Sequence, residues 1–128
     1  MKKIFLGGTC NGSDWRNTLI PMLKINYFNP VVDEWNDSAY WRELYERHTC
    51  DLCLYVITAK MKGVYSIAEV IDDVNKRPDQ TILCISDFDG TFEKDLHKSL
   101  VAVAQMVVNN GGRSFDQLSK VATYINTV

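Results

Sequence analysis

The sequence predicts an α/β fold with one doubly wound sheet of parallel strands and helices on both faces. Its 128 residues are enough for a single domain, which we place at residues 1–128. Short apolar runs alternate with segments of helical periodicity, as in parallel sheets with crossover helices. The run at residues 52–58, LCLYVIT, is apolar, rich in β-branched residues and bounded on both sides. Such a run is typical of a central parallel strand.

Five strands alternate with five helices along the chain. We predict the strands at residues 3–6, 25–29, 52–58, 80–86 and 113–115. The helices are predicted to follow caps at Ser13 or Asp14, at Asp37 or Ser38 and at Asp116, with two more at residues 65–76 and 93–109. The first helix should kink or end early, because Pro21 removes a hydrogen bond from it. The expected strand order is 2-1-3-4-5, as in a flavodoxin-like fold.

The expected strand order predicts where a ligand binds. In such sheets ligands bind outside the carboxyl ends of the strands, where the strand order reverses. That point lies between the first and third strands. Residues 7–15 and 58–69 follow these two strands, and the loop at residues 29–35 can reach the same crevice.

Charge and composition limit the partners. The net charge is -2 with a pI near 5.6, so no electrostatic footprint for nucleic acid is present. No apolar run approaches the roughly 20 residues that cross a bilayer. The apolar stretch at the start ends at Gly7, which is too early for a signal peptide. We therefore expect a cytoplasmic protein that binds a small molecule or another copy of itself, without membrane contact.

The four cysteines do not indicate a metal site. Cys50 and Cys53 form a C-x-x-C, but no second pair stands at a spacing suited to zinc. The motif opens a strand and not a helix, so we interpret Cys53 as a small core residue. We expect no metal and no organic cofactor.

The glycines after the first strand are candidates for ligand contact. In Gly7-Gly8-Thr9, followed by Asn11, glycine lets the backbone approach a ligand, and the next helix N-terminus favours an anion. Neither GxxxxGK[ST] nor a complete GxGxxG is present. A plain tight turn is the alternative.

Glu69 is the leading candidate for chemistry. We expect it in the first turn of the helix at residues 65–76, where the helix dipole keeps a carboxylate ionised. Such a group at the crevice suits attack on, or electrostatic support of, an oxocarbenium-like sugar carbon. The structural alternative is a capping box, since Ser66 and Glu69 have the S-x-x-E spacing.

The preceding helix carries a second carboxylate, Glu43. Glu43, Glu46 and Arg47 share one helical face, which by itself predicts an exposed ion-pair face. Aromatic residues are dense nearby and could form a platform for a flat base or simply pack together. They are Trp35, Tyr40, Trp41 and Tyr45.

The segment at residues 87–91, DFDGT, resembles the DxDGT motif of haloacid-dehalogenase-type phosphatases. There the first aspartate is the nucleophile and the second an acid/base near magnesium. Too few residues follow Thr91 to supply the rest of such an enzyme. Asp and Gly are also common in any turn. A phosphatase is therefore the weaker alternative.

Three stretches resemble the nucleoside 2-deoxyribosyltransferase-like family, especially its small branch. They are IFLGG at residues 4–8 with DWR at 14–16, FNP at 28–30 with Trp35, and residues 51–70 with LYVIT and GVYSIAEV. They occur in the family's order and spacing over most of residues 3–86. The resemblance implies a flavodoxin-like fold, frequent oligomers and base exchange on 2′-deoxynucleosides through a covalent deoxyribosyl-glutamate.

The resemblance also implies roles for particular residues. Glu69 matches the nucleophile, and Glu43 matches the place of an aspartate that helps to hold or protonate the base. Trp35 is a candidate for stacking on the base. The glycine turn matches a loop that closes over the ligand. The residues expected to bind substrate are Gly7, Gly8, Thr9, Asn11, Trp15, Asn29, Trp35, Tyr65 and Ser66.

Two departures from the family keep several functions open. Gly63 stands where active transferases have an acidic residue, and the usual first-strand tyrosine is absent unless Tyr65 or Tyr40 substitutes. Deoxyribosyltransferase, N-glycoside hydrolase and non-catalytic nucleotide-binding or sequestering module are the alternatives. A weaker likeness to NAD-cleaving Toll/interleukin-1 receptor domains widens the substrate class to N-ribosides. We also expect a homo-oligomer, with Asn109 or Asn110 completing a neighbour's site.

Overall fold

A computed structural model describes residues 2–10 and 12–128 and contains one sheet of five parallel strands. The order is β2-β1-β3-β4-β5, and every neighbouring pair is parallel. The strands are β1 Lys3–Gly8, β2 Asn26–Phe28, β3 Leu52–Ile57, β4 Thr81–Ile85 and β5 Arg113–Phe115. The predicted flavodoxin-like fold and strand order are confirmed.

Five helices connect the strands. They are α1 Trp15–Leu19, α2 Asp37–Thr49, α3 Tyr65–Lys76, α4 Lys94–Asn109 and α5 Leu118–Ile125. The first helix, α1, ends at Leu19 and continues as a 3₁₀ turn, Ile20–Met22. Pro21 lies inside that turn, so the predicted early end is confirmed. The predicted bounds of α3 and β5 agree with the structure.

Two of the predicted helix caps are wrong. Asn36 caps α2, with its Oδ1 accepting a hydrogen bond of 2.8 Å from the amide of Ala39. Asp37, a predicted cap, is already helical. At α5 the cap position belongs to Gln117, and the carboxylate of Asp116 instead accepts from Lys120 Nζ at 2.9 Å. In both cases the sequence offers adjacent polar residues of similar capping tendency, so pattern alone does not select the register.

The sheet has an apolar layer on each face, because successive side chains of a strand point to opposite sides. On one face, Ile4, Leu6, Leu54 and Val56 pack beneath α1 and α5. The residues on the other face pack beneath the end of α2, α3 and α4; they are Phe5, Cys53, Tyr55, Ile57 and Leu83. All six residues of β3 are buried. The predictions of a central β3 and of a core Cys53 are confirmed.

None of the helices in residues 2–10 and 12–128 combines the length and the hydropathy needed to span a bilayer.

The carboxyl ends of β1 and β3 are joined directly. Gly8 pairs with Val56, and the amide of Thr9 donates to the Val56 carbonyl at 2.8 Å. The hydroxyl of Thr9 in turn accepts from the amide of Thr58 at 3.0 Å. The two loops that flank the switch point are therefore fixed to each other.

Gly8 is required for this close approach. Its φ is +116°, and a Cβ there would overlap the Val56 carbonyl oxygen and lie 2.6 Å from the Val56 nitrogen. An L side chain rarely adopts this φ, and backbone atoms cannot move aside cheaply.

We predict that Gly8→Ala lowers the free energy of unfolding by about 2 kcal/mol or more, because it adds backbone strain to a steric clash. Urea denaturation followed by circular dichroism measures this. Gly63→Ala is the matched control, since a Cβ there has open space within 4 Å. Equal stability of the two variants would contradict the argument.

Candidate functional site

A cleft of about 400 Å³ opens beside the carboxyl ends of β1 and β3, at the predicted switch point. This volume is in the range of small-molecule sites. Its walls come from the loop after β1, the loop after β2, α2, and the start of α3 with the loop before it. The lining residues are Gly7, Gly8, Thr9, Cys10, Arg16, Pro30, Val31, Val32, Trp35, Glu43, Met61, Lys62, Gly63, Tyr65, Ser66 and Glu69.

Glu69 lies deeper in α3 than the sequence suggested. The helix begins at Tyr65, so Glu69 is its fifth residue and lies beyond the first turn. The helix dipole acts mainly within the first turn and contributes less here than expected. The capping box is also absent, because Val64 occupies the N-cap position and Ser66 is already helical. The Glu69 carboxylate therefore takes no part in capping the start of α3.

The Glu69 side chain is buried at the cleft and carries an unusual charge balance. Only 8% of the residue is exposed. The pKa of Glu69 is raised to about 7, chiefly by burial; Arg47 lowers this pKa, and the nearby carboxylates of Glu43 and Asp73 raise it. The Arg47 Nε lies 3.5 Å from Glu69 Oε2. The group is thus divided between its acid and its carboxylate near neutral pH.

The prediction of an exposed ion-pair face on α2 is wrong. Glu46 is buried and pairs with Lys3 at 2.8 Å, while Arg47 turns toward α3 and β3. Helical spacing shows that these residues share one face of α2. It does not show that this face packs against the rest of the protein. The pairing of Arg47 with acids of α3 is non-local and has no signature in either segment alone.

Asp73 is the acid at the centre of this contact. It is 1% exposed, and its Oδ1 accepts from Arg47 Nη2 at 2.9 Å and from Arg77 Nη2 at 2.6 Å. The hydroxyl of Tyr55, on β3, donates to Asp73 Oδ2. Arg77 Nη1 also donates to the carbonyls of Arg47 and His48, the last turn of α2. Paired in this way, a buried carboxylate can remain charged.

Glu43, the second predicted catalytic residue, lines the same cleft and is half-buried. Burial raises the pKa of Glu43, while Arg16 and Arg47 lower it. Two acids with raised pKa values thus face one cavity from α2 and α3. This is a feature typical of sites that perform acid and base chemistry.

Arg16 lines the cleft and was not predicted as a site residue. Its Nε donates to the Leu6 carbonyl at 3.0 Å and its Nη1 to the Thr9 carbonyl at 2.8 Å. The guanidinium also stacks on the Trp15 ring, 4.3 Å from its centroid. Burial lowers the pKa of Arg16 to about 10, which still leaves it charged at neutral pH. The DWR stretch was the only signal in the sequence.

Trp35 forms an outer wall of the cleft. It is 56% exposed and makes an edge contact with Tyr40, with ring centroids 6.4 Å apart. Tyr40 contacts Trp41 in the same way at 5.3 Å. Of the three aromatic residues, only Trp35 lines the cavity. Trp35 therefore contributes an exposed aromatic ring to the lining of the cleft.

Most of the predicted substrate-binding residues come together at the cleft. Those that line it are Gly7, Gly8, Thr9, Trp35, Tyr65 and Ser66. Trp15 does not: it is fully buried, and its indole donates to the Thr9 carbonyl at 2.7 Å, so it supports the loop from behind. Asn29 also lies outside the lining, and its Oδ1 accepts from the Val31 amide. Asn11 lies outside the described residues.

Two other predicted features lie away from the cleft. Asp87 and Gly90 bound a turn after β4, with the Gly90 amide donating to the Asp87 carbonyl at 3.3 Å. This geometry agrees with the turn interpretation of the DFDGT segment. Asn109 and Asn110 lie at the far end of α4, next to the start of β5 and thus near the opposite edge of the sheet.

The described residues offer no ready-made metal site. Across residues 2–10 and 12–128, no three side chains of His, Cys, Asp or Glu are grouped so that they could hold an ion.

Comparison with known proteins gave one finding. A family model described as nucleoside 2-deoxyribosyltransferase like matches residues 1–88. The matched segment runs from β1 past the end of β4 and contains every residue that lines the cleft. Among curated proteins, none matched the chain.

The raised pKa of Glu69 predicts a specific dependence of stability on pH. The folded state binds this proton more tightly than the unfolded state, so stability falls as pH rises from about 4.5 to about 7. Relative to Glu69→Gln, the wild-type free energy of unfolding should fall by about 3 kcal/mol between pH 4 and pH 8. Urea denaturation at several pH values measures this. Parallel curves for the two proteins would contradict it.

Proposed function

The chain belongs to the nucleoside 2-deoxyribosyltransferase-like family, and from this premise we propose that it cleaves or exchanges the N-glycosidic bond of a nucleoside or nucleotide. The observation that supports this most is the Glu69 carboxylate, which is buried at the end of a cleft and ion-paired with Arg47. The match covers 88 of the 128 residues and includes Glu69. A buried carboxylate beside a sugar carbon is the group that such a reaction uses.

In the first step, an Oε atom of Glu69 attacks C1′ of the sugar. A C–O ester bond forms as the C1′–N bond breaks, and the bonding electron pair leaves with the base nitrogen. Glu43, whose pKa is raised by burial, donates a proton to the departing base. The products are a glycosyl-Glu69 ester, a neutral base and the Glu43 carboxylate.

The second step restores the enzyme. Water or a second base attacks C1′, and the ester bond to Glu69 breaks with its electron pair returning to the carboxylate. The Glu43 carboxylate accepts the proton that the nucleophile loses. Water gives hydrolysis and a base gives transfer, so both activities follow from one intermediate. The reaction consumes no redox equivalent and uses no metal or organic cofactor.

The walls of the cleft suit the two halves of a nucleoside. Trp35, with Val31 and Val32 beside it, offers an apolar wall against which a base can stack. The backbone at Gly7 and Gly8 lines the cavity without side chains. Polar groups of Thr9, Tyr65 and Ser66 complete the lining and can bind sugar hydroxyls.

One observation favours a second candidate, a nucleotide-binding module without turnover. Gly63 lines the cleft at a position where active relatives carry an acid, so no carboxylate is available there to orient the substrate. In this alternative Glu69 would bind the sugar and leave the glycosidic bond intact.

Assembly and location are part of the proposal. We propose a homo-oligomer in which Asn109 or Asn110 of one copy approaches the cleft of another, since both are exposed. We also propose a cytoplasmic location. Light scattering that gives a monomer at working concentration would contradict the assembly.

We predict that Glu69→Gln and Glu69→Ala reduce base release from a deoxynucleoside by about 10³-fold or more, because both remove the nucleophile. Chromatography of the free base measures the rate, and intact-protein mass spectrometry should detect the glycosyl ester on the wild type alone. Glu34→Gln is the matched control, since Glu34 is exposed and outside the cleft.

The outcomes separate the two candidates. Wild-type turnover in both Glu69 variants would overturn the nucleophile assignment. Tight binding of a nucleoside in calorimetry, with the ligand recovered intact, would favour the binding module.

We predict that Trp35→Ala raises KM about tenfold with a smaller change in kcat, because it removes a stacking surface used equally in the bound and transition states. Steady-state kinetics on a purine and a pyrimidine deoxynucleoside measures this. Trp41→Ala is the control, since Trp41 belongs to the same aromatic group but does not line the cleft. An equal effect of the two substitutions would contradict base stacking on Trp35.

A further inference from the structure

We propose that Arg47 is a positioning residue, which fixes the Glu69 carboxylate at the cleft and keeps it available for reaction. This inference rests on the proposed function and adds a residue to it. In the part of the chain that the structure describes, the Glu69 carboxylate makes one ion pair, with Arg47 Nε at 3.5 Å from Oε2. Its geometry therefore depends on one side chain from a different helix.

Arg47 is itself held from several sides. Its Nη2 contacts Asp73 Oδ1 at 2.9 Å and Asp72 Oδ2 at 3.1 Å, and also reaches the Glu69 backbone carbonyl at 3.3 Å. Its Nε donates to the Tyr55 hydroxyl at 3.0 Å. A planar guanidinium bound along two edges has little freedom to rotate. The orientation of Arg47 is thus set by β3 and α3 before any ligand arrives.

The charges around Glu69 explain why a cation is needed there. Glu69 and Asp73 lie four residues apart on one face of α3, where like charges repel. Glu43 lines the same cleft from α2. Arg16 and Lys62 also line it, but neither of these two cations forms an ion pair with Glu69. Arg77 neutralises Asp73 but has no contact with Glu69. Arg47 alone bridges both acids, so its loss would leave Glu69 beside uncompensated negative charge.

Arg77 offers a matched control, because it also binds Asp73 and joins α2 to α3 without touching Glu69. A purely structural role for the network predicts similar effects of losing either arginine. A positioning role predicts that only Arg47 alters the ionisation of Glu69. The two explanations therefore differ in a measurable property other than stability.

The experiment is a titration of the Glu69 carboxyl by ¹³C NMR in protein labelled at glutamate, with the resonance assigned by its absence in Glu69→Gln. We expect Arg47→Met to raise the midpoint by about one pH unit or more, and Arg77→Met to leave it near the wild-type value. The pKa on the acid side of the pH profile of kcat/KM for base release should rise by the same amount. At pH 7, kcat/KM should therefore fall about fivefold. An unchanged midpoint in Arg47→Met would overturn the proposal.

Arg47→Lys supplies the second test, which also decides the question if Arg47→Met does not fold. Lysine keeps the charge but lacks the planar fork, so the midpoint should stay near wild type while kcat falls about tenfold at constant KM. Wild-type kcat in Arg47→Lys would overturn positioning. The NMR midpoints need no turnover, so a wild type without base release would refute the proposed function while leaving the Arg47 test intact.

Discussion

The buried carboxylate of Asp73 is the contact on which the arrangement of the cleft depends. Two guanidiniums and a phenol converge on it from α2, from the end of α3 and from β3. A charge taken out of water is tolerated only when it is surrounded in this way. The requirement fixes the spacing of α2 and α3, and these helices carry Glu43 and Glu69. The positions of the two proposed catalytic acids therefore depend on the ion pairs and hydrogen bonds of a third acid, Asp73.

The second constraint is the backbone contact between the ends of β1 and β3. Gly8 brings the two loops together, and Thr9 bonds to residues on the other side. The Arg16 side chain donates hydrogen bonds to the carbonyls of Leu6, in β1, and of Thr9, just after it. The main chain of these loops therefore lines part of the cleft, and the side chains of Glu43 and Glu69 reach it from α2 and α3. Pre-formed sites of this kind require little rearrangement when a ligand binds.

Local patterns were sufficient for the strand order, for the bounds of α3 and for the place of the cleft. Apolar runs and the parallel crossover rule determine these features without knowledge of side-chain contacts. The patterns were insufficient for Arg47, which the sequence assigned to an exposed face. Its acidic partners stand 22 to 26 positions later in the chain, on a helix whose rotation depends on the whole core. Trp15 was misplaced for the same reason, since its neighbours only pack once the sheet has formed.

The loop that carries Trp35 has a different relation to the core. Residues 31–36 are exposed, and the hydrogen bonds at either end of the loop are local: the Val31 amide donates to Asn29 Oδ1, and the Ala39 amide donates to Asn36 Oδ1. Substitutions there disturb neither the buried acids nor the packing of the sheet. The wall that a base would meet can thus diverge between related proteins while the reacting centre stays the same. Under the proposed function, ligand preference is separable from folding at this loop, because its residues are exposed and none of them belongs to the apolar core.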